Sequence, residues 1–235
     1  MSDPSIFDRH AEGYAELVNA AITASGETVD FFAELRASLV RRNCAGDRAP
    51  AGILDFGCGT GRSTRALASA FPATRLTGFD PSRPSIEAAR RLVGEDGGRV
   101  TFAFDEGLAL PFAPGSFDLV FSSCVFHHIV PADRPRWLAE IRRVLTPAGT
   151  FFLFEHNPLN PLTVRVVRAC PLDRDAQLLR PAEVGPLLEA AGLEAGRPRY
   201  YFFFPRVLRG LRWLEPHLAS LPLGAQYFVT GTRPS

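Results

Sequence analysis

Short apolar runs alternate along this chain with longer stretches in which apolar residues recur every three or four positions. The runs are Ile53-Leu54, Leu76–Phe79, Val100–Phe104, Phe117–Phe121 and Thr150–Phe154. Between them lie Ala66, Leu67, Ala70 and Phe71, then Ile86, Ala89, Leu92 and Val93, then Trp137, Leu138, Ile141 and Leu145. The first rhythm predicts strands and the second predicts amphipathic helices. Strand and helix in regular alternation predict a parallel sheet with helices on both faces. Phe117–Ser123 is nearly continuously apolar, as a strand buried on both faces requires. Asp118, near its start, is expected to be structural. Pro72, Gly97-Gly98, Pro114-Gly115-Ser116 and Pro147-Ala148-Gly149 punctuate the pattern where elements should end.

The flanks read differently. Residues 1–50 predict helices carrying Phe7, Tyr14, Leu17, Val18 and Ala21, then Phe31, Phe32, Leu35, Leu39 and Val40. They are expected to pack as a lid over one end of the sheet, with residues 51–235 forming the domain proper. Pro181 opens a helix with Val184, Leu187, Leu188 and Ala191 inward. Arg199–Phe204 and Ala225–Gly231 predict the last two strands. Two connections, near 156–180 and 205–222, exceed the usual length of about 2–6 residues. A long ordered loop at the active edge of a sheet is expected to close over substrate. The second insertion interleaves Val207, Leu208, Leu211, Trp213 and Leu214 with Arg206, Arg209 and Arg212. It predicts an amphipathic helix that covers a pocket or forms a dimer face, with peripheral contact at a membrane surface as the alternative.

Charge and cysteine content narrow the classes. Twenty-six basic residues face 25 acidic ones, without a basic stripe, so nucleic acid is not an expected partner. Met1–Pro4 lacks the charged and apolar regions of a signal peptide, and no apolar run approaches the ~18 residues of a membrane span. A cytoplasmic protein without a transmembrane segment, monomer or homodimer, is expected. Cys44, Cys58, Cys124 and Cys170 are far apart and form no C-x-x-C pair, so neither a metal site nor a disulfide framework is expected. All four read as packing residues.

One stretch carries chemistry: Ile53-Leu54-Asp55-Phe56-Gly57-Cys58-Gly59-Thr60-Gly61-Arg62. It leaves a strand, passes three glycines at alternate positions and enters a helix. Glycines there admit close approach of a ligand, and a helix terminus capped by Thr60 would present N–H groups to it. Asp80 ends the second strand about 19 positions after Gly61, near the ~20 expected of an acid that binds a ribose diol. The spacing G-x-G-x-G differs from the dinucleotide fingerprint G-x-G-x-x-G.

This loop, with Asp55 before it, resembles motif I of the class I S-adenosylmethionine-dependent methyltransferases. The resemblance is specific over residues 53–155. It implies a Rossmann-like, doubly wound α/β sheet of seven strands, six parallel and one antiparallel. It also implies S-adenosylmethionine as cofactor and a small molecule as methyl acceptor. The implied cofactor residues are Asp55, Gly57, Cys58, Gly59, Thr60, Gly61, Asp80 and Pro81. To these it adds Asp105 or Glu106 with Gly107 for the adenine, and Ser122 and Ser123 near the sulfonium. Phe7–Tyr14 looks like the family's N-terminal lid, in which Tyr14 would cover the methionine end.

For catalysis, His128, Glu155 and His156 are the candidates, with Asn157 also facing substrate. An imidazole with an ordinary pKa near ~6.5 suits a general base for a hydroxyl. Adjacent His127 and His128 are not expected to reach one site, because neighbours on a strand or helix diverge. The transfer would be to O, N or C of a small metabolite. Aromatic and Pro-rich walls at 200–205 and 213–223 suggest an apolar, lipid-linked or sugar-linked one. The alternatives are a non-catalytic module that binds S-adenosylmethionine and a nicotinamide-dependent oxidoreductase.

Overall fold

The computed structural model describes residues 8, 13–44, 49–94, 97–107 and 109–235. Two helices open the described chain, α1 (Tyr14–Ala21) and α2 (Val29–Asn43). The alternating part follows as β1 (Gly52–Phe56), α3 (Arg62–Ala70), β2 (Arg75–Asp80), α4 (Arg83–Val93) and β3 (Val100–Phe104). Next come β4 (Phe117–Ser123), a 3₁₀ turn (Phe126–His128), α5 (Arg134–Val144) and β5 (Leu145–His156). The first insertion holds α6 (Pro161–Ala169) and a 3₁₀ turn (Pro171–Asp173). Then follow α7 (Pro181–Ala190), β6 (Glu194–Ala195) and β7 (Arg199–Tyr201). A 3₁₀ helix (Arg206–Leu214), a short α8 (Glu215–Leu218) and β8 (Gln226–Thr232) complete the order.

The strands pair in the order β3-β2-β1-β4-β5-β8-β6, and β7 also pairs with β8. β1 to β5 are parallel, and β8 lies antiparallel to β5 with His156 opposite Gln226. β6 and β7 meet β8 at successive registers, so they occupy one interrupted strand position. Seven positions, six in one sense and one opposed, thus hold eight strand segments. The expected strand at 199–204 ends early, at Tyr201, because Phe202 turns to a φ of +57°.

Alternate residues of each buried strand face opposite ways. Leu54, Phe56, Val120, Phe151 and Val229 pack under α5 and α7, against Trp137, Ile141 and Leu188. Ile53, Leu119, Phe121, Phe152 and Phe228 pack under α2 and α3, against Phe32, Val40 and Leu67. The helix α2 therefore covers one face of the sheet, not its end. Tyr201 and Phe202 belong to that second core and Tyr200 to the first, so the 200–202 aromatics are sheet packing, not pocket walls. Trp137, fully buried, is the largest side chain of the first core. Asp118 is structural, as expected: its Oδ2 accepts from the N–H groups of Ala51 (2.7 Å) and Gly52 (3.1 Å).

The second insertion departs most from its expectation. It folds as a 3₁₀ helix and turns its apolar residues outward: Val207 is 86% exposed and Trp213 69%. No described helix is long and apolar enough to cross a membrane.

Candidate active site

The glycine loop lies at the C-terminal edge of the parallel strands, where open α/β sheets bind ligands. Gly57 has φ +74°, and a Cβ there would lie 2.4 Å from a methyl group of Val125. Gly59 has φ +50° and faces open space, with no atom within 4 Å of an added Cβ. The loop is thus packed from behind and open in front. Its tip is tied to β2, because the Gly59 N–H donates to Asp80 Oδ2 at 2.8 Å and Ser82 N–H to Oδ1 at 2.9 Å. Thr60 does not cap α3: Gly61 occupies the cap position, in the left-handed region that glycine favours, and no side chain bonds the first turn. Cys58 is buried behind the loop, and Pro81 sits partly exposed beside Asp80.

Two carboxyls here are held away from water. Burial pushes Asp55 up to about 7, against the pull of a 2.6 Å hydrogen bond from Thr64 Oγ1. Burial also pushes Asp80 up to about 6, although the Ser82 and Gly59 amides pull it back down. Asp8, from the N-terminal segment, accepts from Ser82 Oγ at 2.5 Å and adds a third carboxyl to this corner. Of the expected lid, Phe7 and residues 9–12 lie outside the described residues. At the end of β3, Asp105 is half-buried and accepts from the Gly107 N–H at 2.5 Å, whereas Glu106 is exposed. Ser122 and Ser123 end β4 with buried hydroxyls that have no partner among the described residues.

Beyond those serines the chain builds a buried charged cluster. Cys124 takes φ +58°, a sparsely populated conformation for a residue with a side chain, and starts the turn into Phe126–His128. His127 Nδ1 meets Glu155 Oε2 at 2.6 Å, and the Phe126 N–H donates to Oε1 at 2.9 Å. Both histidines reach the same carboxylate, with His127 Nε2 at 3.4 Å and His128 Nε2 at 3.3 Å from Asp173 Oδ1. This overturns the expectation that neighbouring histidines diverge. In the 3₁₀ turn their rings lie 4.1 Å apart and both side chains face the insertion. Three ligand atoms, one each from His127, His128 and Asp173, lie within 4.8 Å of one another.

Arg134 fixes the arrangement from below, donating to the carbonyls of Phe126 (3.2 Å), Ile129 (3.0 Å) and Gln177 (2.7 Å). On the far side Arg36 donates to Tyr201 Oη (3.1 Å), Gln226 Oε1 (2.9 Å) and Cys124 Sγ (3.4 Å). Gln226 turns its Nε2 to His156 Nδ1 at 3.3 Å. Tyr14 borders the same cluster. Burial raises its hydroxyl well above the usual range, with Cys124 and Asp173 adding to the effect.

The electrostatics follow from these pairings. Burial alone would lower His127, but the Glu155 carboxylate beside it leaves it well above the ordinary imidazole value. Glu155 is correspondingly held down by His127 despite its own burial. Asp173 is buried too, yet contact with His127 and His128 keeps it far below the carboxylate range. His128 goes the other way: burial lowers it, and Asp173 only partly compensates. A carboxylate accepts and does not donate, so the Asp173 contact places a proton on His128 Nε2.

Not every expected member survives. Asn157 is not substrate-facing: it is fully buried, donates to Pro222 and Gly224 carbonyls at 3.0 and 2.8 Å, and accepts from Leu159 N–H. Cys124 is not merely a packing residue. Burial would raise its thiol, but Arg36 and His156 bring it down to about 7, whereas burial pushes Cys44 and Cys170 up to about 11. Cys124 is therefore expected to be alkylated by iodoacetamide at neutral pH well ahead of the other three. Mass mapping of the labelled cysteine checks this, and Arg36→Met should slow the reaction by removing the cation.

Comparison with known proteins completes the description. A methyltransferase domain family matches residues 53–149. An uncharacterized methyltransferase from Synechocystis sp. is 31% identical over 157 residues, covering 63% of this chain and 69% of its own length. The chain belongs to the class I S-adenosylmethionine-dependent methyltransferases. A malonyl-[acyl-carrier protein] O-methyltransferase from Hahella chejuensis is another family member, 36% identical over 140 residues. That match covers 56% of this chain and 47% of the relative, so the chain spans about half of that relative's length. Among solved structures, a methyltransferase of the family from Thermotoga maritima superposes with a TM-score of 0.67, covering 97% of this chain and 98% of its own at 20% identity. That likeness concerns the fold.

Two residues of the buried cluster, Asp173 and Arg36, were not among the residues expected from the sequence. Asp173 lies in the insertion with no motif around it. Arg36 left a signal: it falls between Phe32 and Val40 at intervals of four, a charge inside an apolar stripe.

Proposed function

We propose that this protein transfers a methyl group from S-adenosylmethionine to a hydroxyl of a small metabolite. The observation that carries the hydroxyl assignment is the placement of His128, with Nε2 3.3 Å from Asp173 Oδ1, beside His127 and Glu155 at 2.6 Å. A hydroxyl must lose its proton on methylation, and a positioned imidazole contributes ~10²–10⁴-fold to such a step. A neutral amine would need no base. The Hahella relative is itself an O-methyltransferase, which agrees with this choice.

The residues present fit the cofactor. The open front of Gly59 admits a ligand against the backbone, Asp80 is placed for a ribose diol, and Asp105 is the acid for the adenine, Glu106 being turned to solvent. The orphaned hydroxyls of Ser122 and Ser123 and the phenol of Tyr14 border the methionine side, with the N-terminal segment as lid. When bound, the cofactor supplies the electrophilic methyl group. The protein's part is alignment and proton transfer. His128 takes the hydroxyl proton, and Asp173 orients the ring through Nε2. Glu155 and His156 are positioning residues. Both Glu155 oxygens are already engaged, and it acts through His127. His156 is tied to Gln226.

Release of S-adenosylhomocysteine can be followed over a panel of phenols, sugar hydroxyls and primary amines. Turnover on hydroxyls that requires His128 is the expected result. Turnover restricted to amines and indifferent to His128→Ala would overturn the hydroxyl assignment.

A further inference from the structure

The segment Arg206–Leu214 is a 3₁₀ helix apart from a kink at Leu208. With three residues per turn, side chains three apart lie in rows. Beyond the kink Gly210 and Trp213 share one row and Arg209 and Arg212 the next, with Arg206 and Val207 before it. A helix of a soluble protein turns its apolar row inward; this one leaves Val207 86% and Trp213 69% exposed. The arrangement is held in place. Arg212 donates to Glu27 (2.8 Å) and the Phe204 carbonyl (3.0 Å), and Arg206 reaches the Gly26 carbonyl at 3.4 Å.

A second apolar ledge lies at the same sheet edge. β7 and β5 run in the same sense, and Tyr201 and His156, near their C-terminal ends, both sit opposite Gln226. The 3₁₀ helix follows the first of these ends and α6 the second. Asn160 joins the two insertions, accepting from the Leu162 N–H at 3.0 Å and donating to the Leu223 carbonyl at 2.8 Å. Leu162 and Leu223 are 73% and 67% exposed.

Charge says what this face fits. Residues 158–169 and 203–223 together hold five arginines, at 165, 168, 206, 209 and 212, and one acid, Glu215. That acid is turned inward, accepting the N–H groups of Phe202, Phe203 and Phe204 at 3.1–3.2 Å. The whole chain is nearly balanced, at 26 basic against 25 acidic. Arg212 is paired with Glu27, and a second copy of this face would set the remaining four arginines against one another. We propose that this face docks the enzyme on an anionic lipid surface, with Val207, Trp213, Leu162 and Leu223 entering the headgroup layer and the arginines meeting its charge. The proposal does not depend on which atom is methylated.

The test uses the full chain with vesicles of phosphatidylglycerol in phosphatidylcholine, and with phosphatidylcholine alone. The protein has two tryptophans and Trp137 is 1% exposed, so a blue shift on binding reports Trp213. Binding to the anionic vesicles with that shift is expected, about tenfold or more weaker on phosphatidylcholine and weakened by salt. Val207→Asp should abolish it, and Arg209→Glu and Arg165→Glu should each weaken it at least about fivefold. Unchanged S-adenosylhomocysteine titration and thermal melt would show these variants to be folded. Equal binding to both vesicle types, or none to either, overturns the proposal. So does a concentration-dependent dimer that Val207→Asp dissociates, which would give the face to a second copy.

Discussion

Replacing His128 by alanine should lower kcat on a hydroxyl acceptor by ~10²–10⁴-fold while S-adenosylhomocysteine affinity stays the same. The split is expected because His128 lies beyond the end of β4, in the Glu155–Asp173 cluster and outside the glycine loop. The pH profile gives a sharper test. His128 acts as a base only when neutral, so activity rises with pH through its pKa, which burial places below the ordinary imidazole value. Asp173 is the partner that raises that value. In Asp173→Asn the acidic limb should therefore move to lower pH, while kcat falls through loss of ring orientation. A limb that moves upward, or a profile indifferent to both substitutions, would remove His128 from the reaction.

The second large effect concerns the cofactor corner. S-adenosylhomocysteine should bind about tenfold more tightly near pH 7 than near pH 5, and Asp80→Asn should flatten that dependence. The sign follows from burial. Asp80 in the free protein titrates at about 6, so near pH 5 it is mostly protonated and cannot accept from two ribose hydroxyls. Binding favours the carboxylate and releases a proton, so affinity climbs as pH rises through 6 and levels off above it. Asp80→Asn should also weaken binding by ~1.5–3 kcal/mol at neutral pH, the contribution of hydrogen bonds to a charged acceptor. Asp55 titrates nearby, at about 7, but its hydrogen bond runs to Thr64 within the protein. A slope that survives Asp80→Asn would therefore point to Asp55 and contradict the ribose role. Calorimetry in buffers of different ionisation enthalpy reads the released proton directly.

How much of this was legible in the residues depends on how local the determinants are. The sheet was, because each buried strand and helix writes its own period into a few consecutive positions, and the glycine loop declares its geometry within five residues. The interrupted sixth strand was not: it breaks at 196–198, where Gly196 packs against Thr230 of β8, and it stops at the turn of Phe202. The histidine pair was misread because a strand or helix was assumed where a 3₁₀ turn forms. That turn is held by Arg134 from the following helix and by Glu155, 29 residues on from Phe126. Asp173 and Gln226 carry no pattern of their own, and only the tertiary fold brings them to the cluster. Val207 and Trp213 show the reverse case: their pattern is plain, but the rule that apolar rows turn inward does not hold there.

The place of β8 in the sheet has a consequence for biosynthesis. It lies between β5 and the two pieces β6 and β7, which precede it in the chain yet touch the sheet only through it. On a translating ribosome those pieces have no docking partner until β8 has emerged, and the apolar edge of β5 stays uncovered meanwhile. Gln226, which orients both Arg36 and His156, arrives with the same strand. A nascent chain halted just before residue 226 would hold the whole glycine loop and yet lack the glutamine that ties Arg36 to His156.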